Sequence, residues 1–168
     1  MYESLVEASL HQFHTYGLVL VVLFCVLEGM VVGKIFPAEV VVAAAGVAYA
    51  GAIHGPVIVF MLAVIASTSG QYALFATTQY RGRYAVLNYQ WSGITARHLD
   101  VGERYFARWG SVAVAGANAL PVARGLLTVP AAISNVPARV FLPAAIVGNI
   151  VYYGIIVGLA VVVGIHLV

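Results

Sequence analysis

Length, composition and charge place the chain among membrane proteins. It has 168 residues, of which 62% are hydrophobic and 8% are charged, whereas soluble domains carry about 25% charged residues. The net charge of +2 is too small to indicate a nucleic-acid partner. One cysteine, Cys25, excludes an intrachain disulfide, and the five histidines lack the spacing of metal ligands. The length supports a single membrane domain, residues 1–168.

The chain begins with a segment typical of an amphipathic helix, residues 1–15. Ser4 and Glu7 have the spacing of a capping box. The apolar side chains at Val6 and Leu10 can share one helical face. We therefore predict an N-terminal helix that lies at the membrane interface, ahead of the first apolar block.

Residues 16–80 contain an apolar block with charges in its interior. A continuous helix would place Glu28 and Glu39 about 16 Å apart along its axis, with Lys34 between them. Charges at that depth are expensive, and non-helical backbone survives there only where protein or water covers it. Because Pro37 breaks a helix, we predict a re-entrant hairpin with Pro37 at its tip. One full span over residues 16–35 followed by a short loop is the alternative, and Lys34 then snorkels to the surface.

The rest of residues 16–80 is predicted to form the second arm of the hairpin, followed by a span. The sequence GAIHGP at residues 51–56 contains glycines and a proline that stop a helix, and residues 57–79 then predict a transmembrane helix. The polar run from Ser67 to Gln71 in this helix is expected to form hydrogen bonds within its own helix or to a neighbouring one.

Residues 110–168 repeat the same order of hairpin and span. Asn118, Pro121 and Arg124 interrupt an apolar run, which predicts a second re-entrant hairpin with Pro121 at its tip. The charge-free residues 140–165 are long enough to cross about 30 Å of hydrocarbon. The pair Gly154 and Gly158 in this span is expected to allow another helix to approach closely.

Residues 81–109 connect the two halves and set the topology. This segment carries five arginines, at positions 81, 83, 97, 104 and 108, against two acidic residues, which places it on the cytoplasmic side. The sequence RHLDVGERYFARW at residues 97–109 separates apolar from charged side chains on a helical wheel, so we predict an interfacial helix. Its arginines favour membrane anchoring, with recognition of anionic lipid or a solvated, salt-bridged face as alternatives.

The predicted fold class is therefore an all-α polytopic membrane protein with an inverted repeat. Because one span lies on either side of the cytoplasmic loop, the first hairpin enters from outside and the second from inside. Discontinuous helices that meet near the membrane midplane are typical of secondary transporters, in which helix ends bind the substrate and the coupling ion.

The sequence resembles the DedA family of membrane proteins, also called the SNARE-associated or VTT-domain family. The residues that carry the resemblance are Glu28, Pro37-Ala38-Glu39, Gly46, Gly51, Gly70, Gly82, the sequence ERYFARWG at 103–110, Pro121, Arg124, Phe141 and Gly148. The resemblance implies two re-entrant hairpins and the movement of phosphorylated polyprenyl carriers such as undecaprenyl phosphate, or the scrambling of phospholipids. Proton coupling is often inferred for its bacterial members.

Four residues, at three places in the chain, depart from the family pattern. Gln71 stands where the family commonly has an aspartate, Thr78-Gln79 replaces a Gly-Arg pair, and Asn118 replaces the first arginine of the second hairpin. These differences weaken the implied proton coupling more than the implied fold.

The candidate site residues follow from charge and depth. Arg124 suits a phosphate headgroup, because its planar fork meets two phosphate oxygens and stays protonated. Glu39 and Glu28 are candidates for proton coupling and substrate binding, because burial at membrane depth disfavours a charged carboxylate. A structural ion pair with Arg124 is an equally weighted alternative for Glu28. Asn118 is expected to cap the hairpin or to donate a hydrogen bond to the same site.

We therefore predict a flippase-like transporter of a phosphorylated polyprenyl lipid in the plasma membrane, with protons as the candidate coupling ion. A phospholipid scramblase and a non-transporting protein of membrane homeostasis are the alternatives. An intramembrane enzyme is disfavoured, because no nucleophile or metal cage accompanies the two glutamates. The expected partners are membrane lipids and the polyprenyl phosphate, with no cofactor, no metal and no nucleic acid; the sequence leaves the oligomeric state open.

Overall fold

A computed structural model describes residues 2–30, 38–88, 96–120, 128–134 and 136–167. The described residues form α-helices and contain no strand. The helices are α1 (Tyr2–Gly29), α2 (Ala38–Ala48), α3 (Gly55–Asn88), α4 (Ala96–Trp109), α5 (Ser111–Asn118), α6 (Thr128–Ile133) and α7 (Ala138–Leu167).

Two helices of the described residues are long and apolar enough to cross a membrane. They are Gly55–Gly82 in α3, with 28 residues, and Ala138–His166 in α7, with 29 residues. At 1.5 Å per residue each is about 42 Å long, which exceeds a hydrocarbon core of about 30 Å. The two predicted spans are thus present as helices of sufficient length, and the sequence break at residues 51–56 separates α2 from α3 as expected.

The first helix is longer than the sequence pattern predicts. α1 runs without interruption from Tyr2 to Gly29, so the segment predicted as a separate amphipathic helix continues directly into the first apolar arm. The apolar stretch of α1 is Tyr16–Gly29, which contains Glu28 near its end. The next described helix, α2, is also short and apolar, and neither segment reaches the length of a full span.

The two long helices run antiparallel and pack against each other. Phe75 of α3 stacks on Phe141 near the start of α7, with ring centroids 4.3 Å apart. Phe60, earlier in α3, lies beside Gly154, later in α7. Because residue numbers rise along α3 as they fall along α7, the two helices run in opposite directions.

Glycines allow two pairs of helix backbones to approach closely. A methyl group added to Gly70 of α3 would overlap the Val26 carbonyl oxygen of α1, and one added to Gly148 of α7 would lie 2.5 Å from the Ala115 carbonyl oxygen of α5. The predicted close approach at Gly158 is absent, since no described atom lies within 4 Å of the methyl group that an alanine would carry there. The tight crossings therefore join α1 to α3 and α5 to α7.

Each short helix after a break packs on the span of the other half. α2 lies along α7, where an added methyl group at Gly46 would lie 2.7 Å from the Ala160 Cβ of α7, and one at Gly164 would lie 2.7 Å from the Cβ of Ala50, just after α2. α6 packs on α3, where Phe75 shares a buried cluster with Ala131 and Val136. A short helix from each half therefore packs on the span of the other half.

The segment that connects the two halves contains a helix at the predicted residues. α4 covers Ala96–Trp109, and the side chains of Arg97, Arg104 and Arg108 are exposed. The Arg108 guanidinium lies 5.7 Å from the centre of the neighbouring Trp109 ring. Gly82, with φ 74°, kinks α3 at the end of its span.

Candidate functional site

Polar side chains gather halfway along the two spans. The middle of Gly55–Gly82 lies near Thr68, and the middle of Ala138–His166 lies at Tyr152. The end of α1, the start of α2 and the end of α5 all reach this level. We call these side chains the midspan cluster; its members are Glu28, Glu39, Thr68, Gln71, Asn118, Asn149, Tyr152 and Tyr153.

Amide side chains from three helices form the buried centre of the cluster. Gln71 Nε2 donates to Asn118 Oδ1 at 3.2 Å, and Asn118 Nδ2 donates back to Gln71 Oε1 at 3.3 Å. Asn149 Nδ2 donates to Thr68 Oγ1 at 2.9 Å and to Gln71 Oε1 at 3.3 Å. All four residues are buried. Since an unpaired buried polar group costs about 1–3 kcal/mol, this network holds α3, α5 and α7 in one arrangement.

Two buried side-chain oxygens have no hydrogen-bond partner within the part of the chain that the structure describes. They are Asn149 Oδ1 and Thr128 Oγ1, and Thr128 begins α6. Unpaired buried polar atoms are uncommon in folded proteins and are found where a ligand, an ion or a water completes the site. The Asn149 oxygen lies within the amide network, at the midspan level.

Two adjacent tyrosines of α7 reach the two glutamates. Tyr152 donates its hydroxyl proton to Glu39 Oε1 at 2.6 Å. The Tyr153 hydroxyl lies 3.4 Å from Glu28 Oε2 and 3.4 Å from Cys25 Sγ. The two glutamates, 11 positions apart in sequence, are therefore both placed against one turn of the second span.

The structure brings together three of the predicted site residues. Glu28, Glu39 and Asn118 all belong to the midspan cluster. Arg124 and the predicted hairpin tips, Pro37 and Pro121, lie outside the described residues, so the predicted contact between Arg124 and a glutamate stays a prediction.

Sequence reasoning missed the residues that α7 contributes. Asn149, Tyr152 and Tyr153 have the spacing i, i+3 and i+4, which places polar atoms on one face of an otherwise apolar span. That spacing is the signal that could have found them. The polar run in α3 divides: Ser69 bonds to its own helix through the Ile65 carbonyl oxygen at 2.8 Å, whereas Gln71 bonds to other helices.

The described residues contain no group of three or more histidine, cysteine and acidic side chains that could hold a metal ion. The chemistry available in the described part of the cluster is therefore hydrogen bonding by amides and hydroxyls, together with two carboxyl groups. Such a set can orient a polar headgroup and can exchange protons.

Comparison with known proteins places the chain in a family. The family profile described as the VTT domain matches residues 36–162. The chain is 28% identical over 132 residues to undecaprenyl phosphate transporter A of Bacillus subtilis (strain 168), an alignment that covers 74% of this chain and 67% of that protein. No solved structure matches the chain. Since the profile covers most of the sequence, the chain belongs to the VTT-domain family of membrane proteins, also called the DedA family.

Proposed function

We propose that the protein is a membrane transporter that translocates a phosphorylated polyprenyl lipid, such as undecaprenyl phosphate. The observation that carries the proposal is the midspan cluster, a set of polar groups at helix ends halfway along two antiparallel spans. Such sites bind substrates in secondary transporters. The name of the Bacillus subtilis relative supplies the lipid class.

The proposed architecture is an inverted repeat of two re-entrant hairpins, each followed by a span. α1 and α2 are the arms of the first hairpin, and α5 and α6 are the arms of the second. Two features support the repeat. A glycine at a tight crossing precedes a network amide in both spans, as Gly70-Gln71 in α3 and Gly148-Asn149 in α7. In addition, each second arm packs on the span of the opposite half.

We assign the phosphate to Arg124 and Asn118, because a phosphate monoester offers several acceptor oxygens to a guanidinium and an amide. Glu39 and Glu28 are the proposed proton-coupling groups. Two of the departures from the family pattern, Gln71 and Asn118, bond to each other. A neutral amide pair thus takes the place that an aspartate and an arginine are expected to hold in relatives, which leaves the glutamates as the acids available for coupling.

The proposed orientation places residues 81–109 in the cytoplasm and the protein in the plasma membrane. The exposed arginines of α4 support this side, because cytoplasmic segments carry an excess of basic residues. In the proposed domain organisation, residues 16–80 hold the first hairpin and span, and residues 110–168 hold the second.

Flipping of a fluorescent polyprenyl phosphate in liposomes tests the proposal, with a phosphatidyl lipid as the comparison substrate. The variants are Arg124→Ala, Arg124→Lys and the control Arg139→Ala, which changes an exposed arginine at the start of α7. We expect selective flux in the wild type and in the control, and loss in both Arg124 variants because lysine lacks the planar fork.

Equal flux of both lipids in the wild type would instead identify a scramblase. Absence of flux for either lipid would contradict transport and favour a role in membrane homeostasis. Lipid flux at the wild-type level in Arg124→Lys would show that the planar fork of arginine is not required at the proposed site.

A further inference from the structure

The tyrosine pair of α7 bridges the two halves of the molecule at the midspan level. Tyr152 contacts the start of α2 through Glu39, and Tyr153 contacts the end of α1 through Glu28. Both rings are almost completely buried and pack edge to face, with centroids 5.3 Å apart. Neighbouring residues on a helix point about 100° apart, so one turn of α7 reaches both arms of the first hairpin.

The two contacts differ in strength. The distance of 2.6 Å between the Tyr152 hydroxyl and Glu39 Oε1 lies in the range of short hydrogen bonds from a hydroxyl to a carboxylate. The distance of 3.4 Å between the Tyr153 hydroxyl and Glu28 Oε2 is long for any hydrogen bond. The Tyr152 contact is thus the stronger of two otherwise similar contacts between buried tyrosines and acids.

The contact with Glu39 sits where a movement of α2 would break it. Glu39 occupies the first turn of α2, and the Ala38 side chain beside it is completely buried. Towards its other end α2 packs on α7 mainly through small residues, at Gly46 and Ala160. Small residues provide close packing without interlocking side chains, so the hydroxyl–carboxylate bond adds a directional contact to this interface.

We propose that Tyr152 is a positioning residue that fastens Glu39, and with it the start of α2, to the span of the opposite half, and that this bond opens when α2 moves. The bond orients the Glu39 carboxyl group within the midspan cluster and holds the start of α2 against α7. The link to transport rests on the proposed function, whereas the fastening of α2 does not.

The test measures how often the start of α2 opens. A single cysteine replaces Ala38 in a chain that also carries Cys25→Ala, and its reaction with N-ethylmaleimide is followed in proteoliposomes. Tyr152→Phe removes the hydroxyl and keeps the ring. We expect the labelling rate to rise about tenfold, because loss of a short buried hydrogen bond worth about 1.4 kcal/mol corresponds to a factor of ten.

Tyr153→Phe is the matched control, since it removes the neighbouring hydroxyl from an equally buried ring. We expect its labelling rate to stay within about twofold of the reference chain, in proportion to its longer contact. In a chain that already carries Glu39→Ala, Tyr152→Phe should have no further effect, because the bond it removes is then absent.

An unchanged rate in Tyr152→Phe would overturn the proposal, as would an equal rise in both tyrosine variants or an additive effect with Glu39→Ala. Each of these results would mean that Tyr152 contributes only packing at this position. Thermal unfolding of every variant in detergent separates local opening from global loss of structure. If the higher labelling rate of Tyr152→Phe is accounted for by a general loss of stability, the positioning role is also refuted.

Lipid flux measured on the same proteoliposomes keeps the two proposals apart. A tenfold rise in labelling without any wild-type flux would retain the fastening role and contradict transport. Wild-type flux with unchanged labelling in Tyr152→Phe would retain transport and contradict the fastening role.

Discussion

The crossing between α1 and α3 makes a sharp prediction for Gly70→Ala. The added methyl group would overlap the Val26 carbonyl oxygen and lie 3.0 Å from the Val26 carbonyl carbon and 3.1 Å from its Cα. These are backbone atoms, so no side-chain rotation relieves the clash. Gly158→Ala is the matched control, because it makes the same change in the other span where no described atom lies within 4 Å.

The size of the effect follows from comparing the two variants. Both gain the same helix propensity, about 0.5–1 kcal/mol for replacing glycine by alanine, so this contribution cancels in the difference. Overpacking remains for Gly70→Ala and costs about 1–3 kcal/mol. At about 2–4 °C per kcal/mol for a chain of this size, the melting temperature of Gly70→Ala should lie about 2–12 °C below that of Gly158→Ala.

The assay is thermal unfolding of purified protein in detergent, with the folded fraction followed by size-exclusion chromatography after heating. We expect Gly158→Ala to melt at or slightly above the wild-type temperature. Equal melting temperatures for the two alanine variants would refute the close contact between the α1 and α3 backbones.

The remaining predictions concern the midspan cluster and its surroundings. Gln71→Leu removes the acceptor of two buried amides, so we expect a loss of about 1–3 kcal/mol of unfolding free energy and a lower melting temperature; a melting temperature equal to that of the wild type would contradict the network. Phe141→Ala removes the ring stacked on Phe75 and should cost about 3–5 kcal/mol in the same assay, whereas a change below about 1 kcal/mol would show that the stack is not close-packed. Glu39→Gln removes a titratable group and should flatten the dependence of lipid flux on pH; an unchanged profile would exclude Glu39 from coupling.

The local features of this fold could be predicted from the sequence because they depend on short stretches of chain. Hydropathy over some twenty residues identified both spans. The glycine and proline at residues 51–56 marked the boundary before α3, and the pattern of charges at residues 97–109 located α4. Depth in the membrane made Glu28 and Glu39 conspicuous, since charged side chains are rare there.

The partners of the polar residues were decided by tertiary structure alone. Gln71 and Asn118 are 47 positions apart, and Asn149, which donates to Gln71, lies another 31 positions further along the chain. Which face of a span meets which helix depends on the crossing that both backbones permit. The sequence pattern offered Gly158 as a contact, yet the contact formed at Gly148 because the end of α5 lies there.

Composition, hydropathy and the breaks in the apolar blocks thus determined by themselves that the chain is helical, membrane-bound and interrupted by acids at membrane depth. Tertiary structure decided that one turn of α7 meets both acids through Tyr152 and Tyr153. The physical reason is the distance along the chain between the residues that interact. Helix formation and membrane insertion depend on neighbouring residues, whereas the pairing of buried polar groups requires two helices from different halves to settle at one depth and rotation.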